Sequence, residues 1–322
     1  MRSILLVKTS SLGDVIHNLP VVSDLRQIWP EVAIDWVVEE KFAEIPRLHP
    51  GVRNVLPVAI RRWRKHLGER ATWREMHEFI HNLRAPYYDL VLDTQGLIKS
   101  GIVTRLARGL RCGYTREVAR ERHAAMFYDC GYSIPNTAHA VERNRWLAAA
   151  ACGYRPDLPL HYGIHATPPD DGKSSQGPYC VLLTATSRAD KLWPNDHWQS
   201  LGRQLAQRGL HSVLPAGTAE ERARAELIAR GIPGAQVIPP SSLTELAGLI
   251  GQAECVIGVD TGLSHLAAAL DKPVIALYVT TDPALTGVFA GPKAINLGGK
   301  ARPPSPDGVM QRLIPLLEKL RK

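Results

Sequence analysis

ILLVKTSSLGDVIHNLP, residues Ile4 to Pro20, is the stretch that decides the fold. Ile4, Leu5, Leu6 and Val7 make an apolar run of strand length. After two serines and a glycine, the spacing of Val15, Ile16 and Leu19 opens a helix. A strand running straight into a helix is the first half of a βαβ unit, and in open α/β sheets ligands sit at the carboxyl ends of such strands. Lys8, Ser10, Ser11 and Asp14 fall at that end. Asp14 then has two readings. It is a first-turn acid that complements the helix dipole, worth about 0.3–1 kcal/mol, or it is a catalytic carboxylate. The stretch lacks both the Gly-Lys-Ser/Thr of a P-loop and the G-x-G-x-x-G of a dinucleotide fold.

The alternation continues through the first half. Strands are expected at 32–38, 52–58, 88–96 and 110–114, and helices at about 69–83, 97–107 and 138–151. From Arg155 to Pro178 the pattern stops in a segment rich in proline, glycine, serine and aspartate, which is linker composition. Alternation then restarts, with strands at PYCVLLTAT, HSVLP, AQVIP, CVIGV and PVIALYV, helices between them, and a last amphipathic helix near 308–320. The expected organisation is an N-terminal α/β domain over 1–160, a linker over 161–178 and a second α/β domain over 179–306. A C-terminal helix over 307–322 could pack back on the first domain. Each domain is a doubly wound parallel sheet, and a cleft between two such domains is where small ligands usually bind.

The 322 residues are 45% hydrophobic and 22% charged, as expected of a soluble globular protein. No apolar run approaches the ~20 residues of a membrane span, and the N-terminus reads as a strand rather than a signal peptide. Five scattered cysteines without a C-x-x-C pair fit a reducing, cytoplasmic compartment. A net charge of +8 points to anionic partners: phosphates, acidic sugars, an anionic membrane face or nucleic acid.

HEFIH at 77–81 fits H-E-x-x-H, but the two histidines fall at the edge of the apolar stripe and toward its polar side, with no third ligand nearby. Asp260-Thr261-Gly262 resembles the D-T-G of aspartic proteases, yet a single copy followed by a helical LSHLAAAL suits a phosphate or sugar at a helix start instead. AIRRWRKHL packs Arg61, Arg62, Arg64 and Lys65 around one tryptophan. It is either a solvated loop or a site for a multiply anionic acceptor, since arginine forks match carboxylates and phosphates. Arg116, Arg120 and Arg122 could add to it. In TATSRADKLWP, Thr186, Ser187 and Lys191 follow a strand end, which suits a diphosphate or an ordinary capping loop.

The blocks KTSSLGDVIHNLP, WVVEEKFAEIP, PVAIRRWRK, DTQGLIKS, HAVERNR, LTATSRADKLWP, GTAEER and DTGLSHLAAAL occur in this order. Together they resemble family 9 glycosyltransferases, the lipopolysaccharide heptosyltransferases of Gram-negative bacteria. The RRWRK block is more typical of type I than of type II. The resemblance implies a GT-B fold of two Rossmann-like domains. It implies transfer of heptose from ADP-L-glycero-β-D-manno-heptose to the first Kdo of Kdo2-lipid A, with inversion and without a metal or other cofactor. On that resemblance Asp14 is the general base. Thr186, Ser187, Lys191, Asp260, Thr261, Gly262 and His265 match the donor motifs, with Glu220 or Glu221 at the ribose and Leu243 at the donor pocket. Lys8, Ser10, Arg61, Arg62, Arg64, Lys65 and Arg120 belong to the acceptor side. The expected protein is a monomer on the cytoplasmic face of the inner membrane, with no nucleic-acid partner. The chain departs from the family pattern at Ala216 and at Val279-Thr280. Heptosyltransferase II, or another nucleotide-sugar transferase, and a non-enzymatic anion- or RNA-binding protein remain as other readings.

Overall fold

A computed structural model describes residues 1–166, 177–300 and 302–321. The chain forms two compact units, Met1–Ile164 and His165–Lys322. Most of the expected linker, residues 167–176, lies outside the described residues.

In the first unit, β1 (Ser3–Val7), β2 (Ala33–Glu39), β3 (Val52–Val58), β4 (Tyr88–Asp93), β5 (Gly109–Tyr114) and β6 (Cys130–Tyr132) form one sheet. Its order is β3-β2-β1-β4-β5-β6, with every pairing parallel. The second unit holds β7 (Tyr179–Leu183), β8 (His211–Pro215), β9 (Gln236–Ile238), β10 (Cys255–Val259), β11 (Val274–Tyr278) and β12 (Ala294–Gly298). Its order, β9-β8-β7-β10-β11-β12, repeats the first and is again all parallel. Both are the doubly wound order, in which the winding direction reverses beside the first strand. The reversal falls between β1 and β4 in one unit and between β7 and β10 in the other.

The central strands are apolar without alternation because helices cover both faces. Ile4, Leu5, Leu6 and Val7 are fully buried, as are all five residues of β10. The first core gathers Leu5, Val7, Val37, Tyr88 and Val91 under Leu83 of helix Arg70–Arg84. The second gathers Cys180, Leu182, Ile257 and Leu277 with Trp193 and Trp198, whose rings meet edge to face at 4.9 Å. Gly258 lets the next helix close on this sheet, since a Cβ there would stand 2.4 Å from Ser264 Oγ and 2.9 Å from Leu183.

Two expectations change. The strands β6 and β12 were not expected, and each is one of the two outer strands of its sheet. The helix expected to follow β1 is two helices, Leu12–Ile16 and Leu19–Ile28, the second with proline in its first turn. The C-terminal helix, Pro306–Arg321, belongs to the second unit. Its Val309, Met310 and Leu313 fill that unit's core, and it runs along helix Asn195–Ala206.

Candidate functional site

Each unit carries a polar cluster at its reversal point. At the carboxyl end of β1, Asp14 is the third residue of helix Leu12–Ile16. Its Oδ2 accepts from Ser11 N at 2.8 Å and Ser11 Oγ at 3.2 Å, so the helix-start reading is correct as far as it goes. The same oxygen also meets Arg120 Nη1 at 3.4 Å, from 106 residues away. All three donors converge on Oδ2. Burial resists the charge on Asp14. The Lys8 ammonium, the Arg120 guanidinium and the Ser11 N–H outweigh it, holding the carboxyl below its ordinary value.

Lys8 is only 5% exposed. Its Nζ donates to Thr94 O at 2.8 Å and Asn144 Oδ1 at 3.3 Å, which joins β1 to the end of β4 and to helix Ala140–Cys152. Gln95 Oε1 accepts from the backbone N–H groups of Thr9 and Ser10 at 3.2 Å each. Asp93, fully buried, accepts from Gln95 N at 2.7 Å and Tyr128 OH at 2.8 Å and so fixes the strand-end turn. Burial draws the Lys8 ammonium down to about 8, against the pull of Asp14 and Asp93. The unfolded chain then binds more protons than the folded one between about pH 8 and the ordinary lysine value of 10.5. Stability contributed through Lys8 rises with pH across that window. Relative to Lys8→Met, the wild type should gain roughly 2–3 kcal/mol between pH 8 and 10.5 in urea unfolding. A flat difference would remove the buried ammonium.

Lys99, which the sequence did not single out, donates from Nζ to Ser10 Oγ at 2.7 Å. Its ammonium is destabilised first by burial, with Arg61 and Arg120 acting the same way and Glu39 and Asp14 opposing. These charges therefore share one field. The basic block is ordered rather than a free loop: Ile60–Trp63 is a helical turn with Trp63 buried. Arg61 N donates to Glu39 Oε1 at 3.0 Å. Arg62 is already spoken for, forked onto Glu40 at 2.9 and 3.1 Å and joined to Glu75 at 2.9 Å. Arg61, Arg64 and Lys65 carry the exposed charge along a groove of about 700 Å³ that Glu39, Glu40 and Lys41 also line.

In the second unit, the ends of β7 and β10 meet at Asp260. Thr186 Oγ1 donates to Asp260 O at 2.9 Å, Lys191 Nζ to Asp260 Oδ2 at 2.7 Å, and Thr281 Oγ1 to the same oxygen at 2.8 Å. Thr261 is the N-cap residue of helix Gly262–Ala269, without a side-chain cap bond, and a helix start of this kind offers free N–H groups. His265 is buried one turn further on, and Ser187 is exposed beside Thr186. Arg224, not singled out in the sequence, donates to Thr184 O and Trp193 O, both at 2.6 Å, and so braces both ends of the segment carrying Lys191. Glu221 closes a capping box, accepting from Gly217 N at 2.8 Å and Thr218 N at 3.2 Å. Glu220 is exposed in the same first turn, and Leu243 starts helix Leu243–Gln252. His77 and His81 are both exposed on helix Arg70–Arg84, and no group of three potential metal ligands occurs among the described residues.

The sequence pattern of glycosyltransferase family 9 (heptosyltransferase) matches residues 76–316. The lipopolysaccharide heptosyltransferase 1 of Escherichia coli strain K12 is 45% identical over 288 residues, covering 89% of this chain and 90% of that protein. The structure described as E. coli heptosyltransferase WaaC with ADP superposes with a TM-score of 0.91 at 41% identity, over 98% of this chain and 99% of that one. A second, WaaC with ADP-2-deoxy-2-fluoro heptose, gives 0.87 at 41% identity over 96% and 98%. With most of its length matched by the family pattern and two Rossmann-like units of the GT-B kind, the chain is a glycosyltransferase and belongs to family 9, the heptosyltransferases.

Proposed function

We propose that this enzyme moves L-glycero-D-manno-heptose from ADP-heptose to the first Kdo of Kdo2-lipid A, with inversion, in the inner core of lipopolysaccharide. The likeness to a heptosyltransferase 1 supports the acceptor, and the ADP and ADP-2-deoxy-2-fluoro heptose of the WaaC structures support the donor. The observation that carries the mechanism is the Asp14 carboxylate, tethered through Oδ2 and kept charged by Lys8 and Arg120. In this reading Asp14 takes the proton of the acceptor hydroxyl as that oxygen bonds to the anomeric carbon and the bond to ADP breaks. Lys191 and the helix start at Thr261 and Gly262 receive the charge growing on the diphosphate. Thr186, Ser187, Asp260 and His265 frame that site, Glu220 or Glu221 meets the ribose, and Leu243 lines the donor pocket. Ser10, Arg61, Arg64, Lys65 and Arg120 serve the acceptor's carboxylates and phosphates, with Lys8 supporting that side from below and Arg62 acting there only if it leaves Glu40 and Glu75.

The protein works as a monomer at the cytoplasmic face of the inner membrane. Among the described residues no helix is long and apolar enough to cross it. The lysine and the helix dipole make a metal unnecessary. The test is ADP release, in buffer containing EDTA, with ADP-heptose and either Kdo2-lipid A or the same acceptor already bearing one heptose. Release with the first is expected. Release only with the second would assign type II specificity, and silence with both would sink the reading.

A further inference from the structure

Residues 61–74 bring together charge and exposed apolar surface. Arg61, Arg62, Arg64, Lys65, Arg70 and Arg74 share the segment with a single carboxylate, Glu69, which is itself bonded to His66 at 2.7 Å. All six cations are exposed, and among the described residues Arg62 alone is ion-paired to carboxylates outside the segment. Among them Leu67 is 48% exposed and Trp73 57% exposed. Trp73 Nε1 donates to Leu67 O at 2.8 Å, so the loop and the first turn of helix Arg70–Arg84 hold the two apolar side chains as one ordered feature. Folding gains little from this exposure. A tryptophan and a leucine ringed by arginines match the boundary between anionic headgroups and acyl chains.

We infer that this segment docks the protein on an anionic phospholipid bilayer. Trp73 and Leu67 enter the headgroup–acyl boundary, while Arg64, Lys65, Arg70 and Arg74 lie against lipid phosphates. The inference rests on the reading above and deepens it, because Arg61, Arg64 and Lys65 also bound the acceptor groove. A lipid-borne acceptor would meet that groove at the surface where the protein is held. Single-stranded nucleic acid is the weaker fit. It stacks successive bases on several aromatics, whereas here Trp63 is buried and Trp73 is the exposed ring of the segment.

The test uses the whole chain and vesicles containing no acceptor: phosphatidylcholine with or without phosphatidylglycerol, read by co-sedimentation and by quenching of tryptophan fluorescence with brominated lipid. Binding only to the anionic vesicles, weakened by salt, is expected. Quenching should be largely lost in Trp73→Phe while binding persists. Trp73→Ala and Leu67→Gln should each weaken partitioning roughly five- to tenfold, with circular dichroism unchanged, and Leu227→Ala, an exposed leucine of the second unit, should do nothing. Binding unaffected by both substitutions would overturn the assignment. So would binding of RNA without binding of vesicles. Turnover on detergent-dispersed acceptor separates the two ideas. A silent wild type would defeat the enzymatic reading and leave the vesicle result standing, whereas loss of turnover in Trp73→Ala alone would move the ring into the acceptor site and overturn docking.

Discussion

Asp14→Asn should lower turnover by about 10²–10⁴-fold, the usual contribution of a positioned general base, with ADP-heptose binding unchanged. Asparagine keeps the size and can still accept from Ser11 N, so the helix start at Leu12 survives. What it cannot do is take a proton. The substitution also removes the negative charge facing Lys8 and Arg120, and the variant should show a Lys8 that loses its proton more readily. Thermal unfolding tells the two readings of Asp14 apart. A residue that only complements a helix dipole would cost up to about 1 kcal/mol of stability on substitution and leave the rate alone. Full turnover in a folded Asp14→Asn protein would end the mechanism.

Lys191→Met should cost roughly 10²–10³ in kcat, the scale seen when one preorganised donor to a developing anion is removed. Its ammonium is held at 2.7 Å from Asp260 Oδ2 and is 17% exposed, so its position is set before any ligand arrives. The comparison variant is Asp260→Asn, which breaks the ion pair and leaves the ammonium in place. Were the pair only a brace, both substitutions would lower Tm alike and leave the rate of the folded protein intact. A rate loss confined to Lys191→Met assigns the charge to the leaving group.

The sequence makes some of this legible and hides the rest for a physical reason. Strands buried on both faces must be apolar throughout, and the runs at Ile4, His211 and Cys255 mark β1, β8 and β10 within about a residue, while the expected strand PYCVLLTAT overshoots the end of β7 at Leu183. Two of the four edge strands escape, β6 and β12, whereas the edges β3 and β9 show as VRNVLPV and AQVIP. Cys130–Tyr132 has three residues, none fully buried, and Ala294–Gly298 is partly exposed along its length. Their strand state comes from a neighbour's backbone rather than from their own side chains. The site divides similarly. Asp14, Lys191 and Asp260 stand where a strand gives way to a helix, which is a local signal. Lys8 meets Thr94 and Asn144, and Asp14 meets Arg120, across 86 to 136 residues of chain. No spacing rule reaches that far, and Lys99, Gln95 and Arg224 were passed over for the same reason. Composition also misleads at Arg62, where a count of arginines cannot register that Glu40 and Glu75 already claim the guanidinium.

The contact between Lys191 and Asp260 has one more consequence. On the donor role proposed for it, the ammonium resembles an ion-exchange resin loaded with a resident counterion. Asp260 Oδ2 and, through it, Thr281 Oγ1 occupy the place an incoming anion would take. Chloride or acetate carries one charge and gains little by displacing a carboxylate that is already aligned. A diphosphate carries more charge, reaches the helix terminus at Gly262 at the same time, and can complete the exchange. On that role the ion pair favours a diphosphate over the small monovalent anions around it.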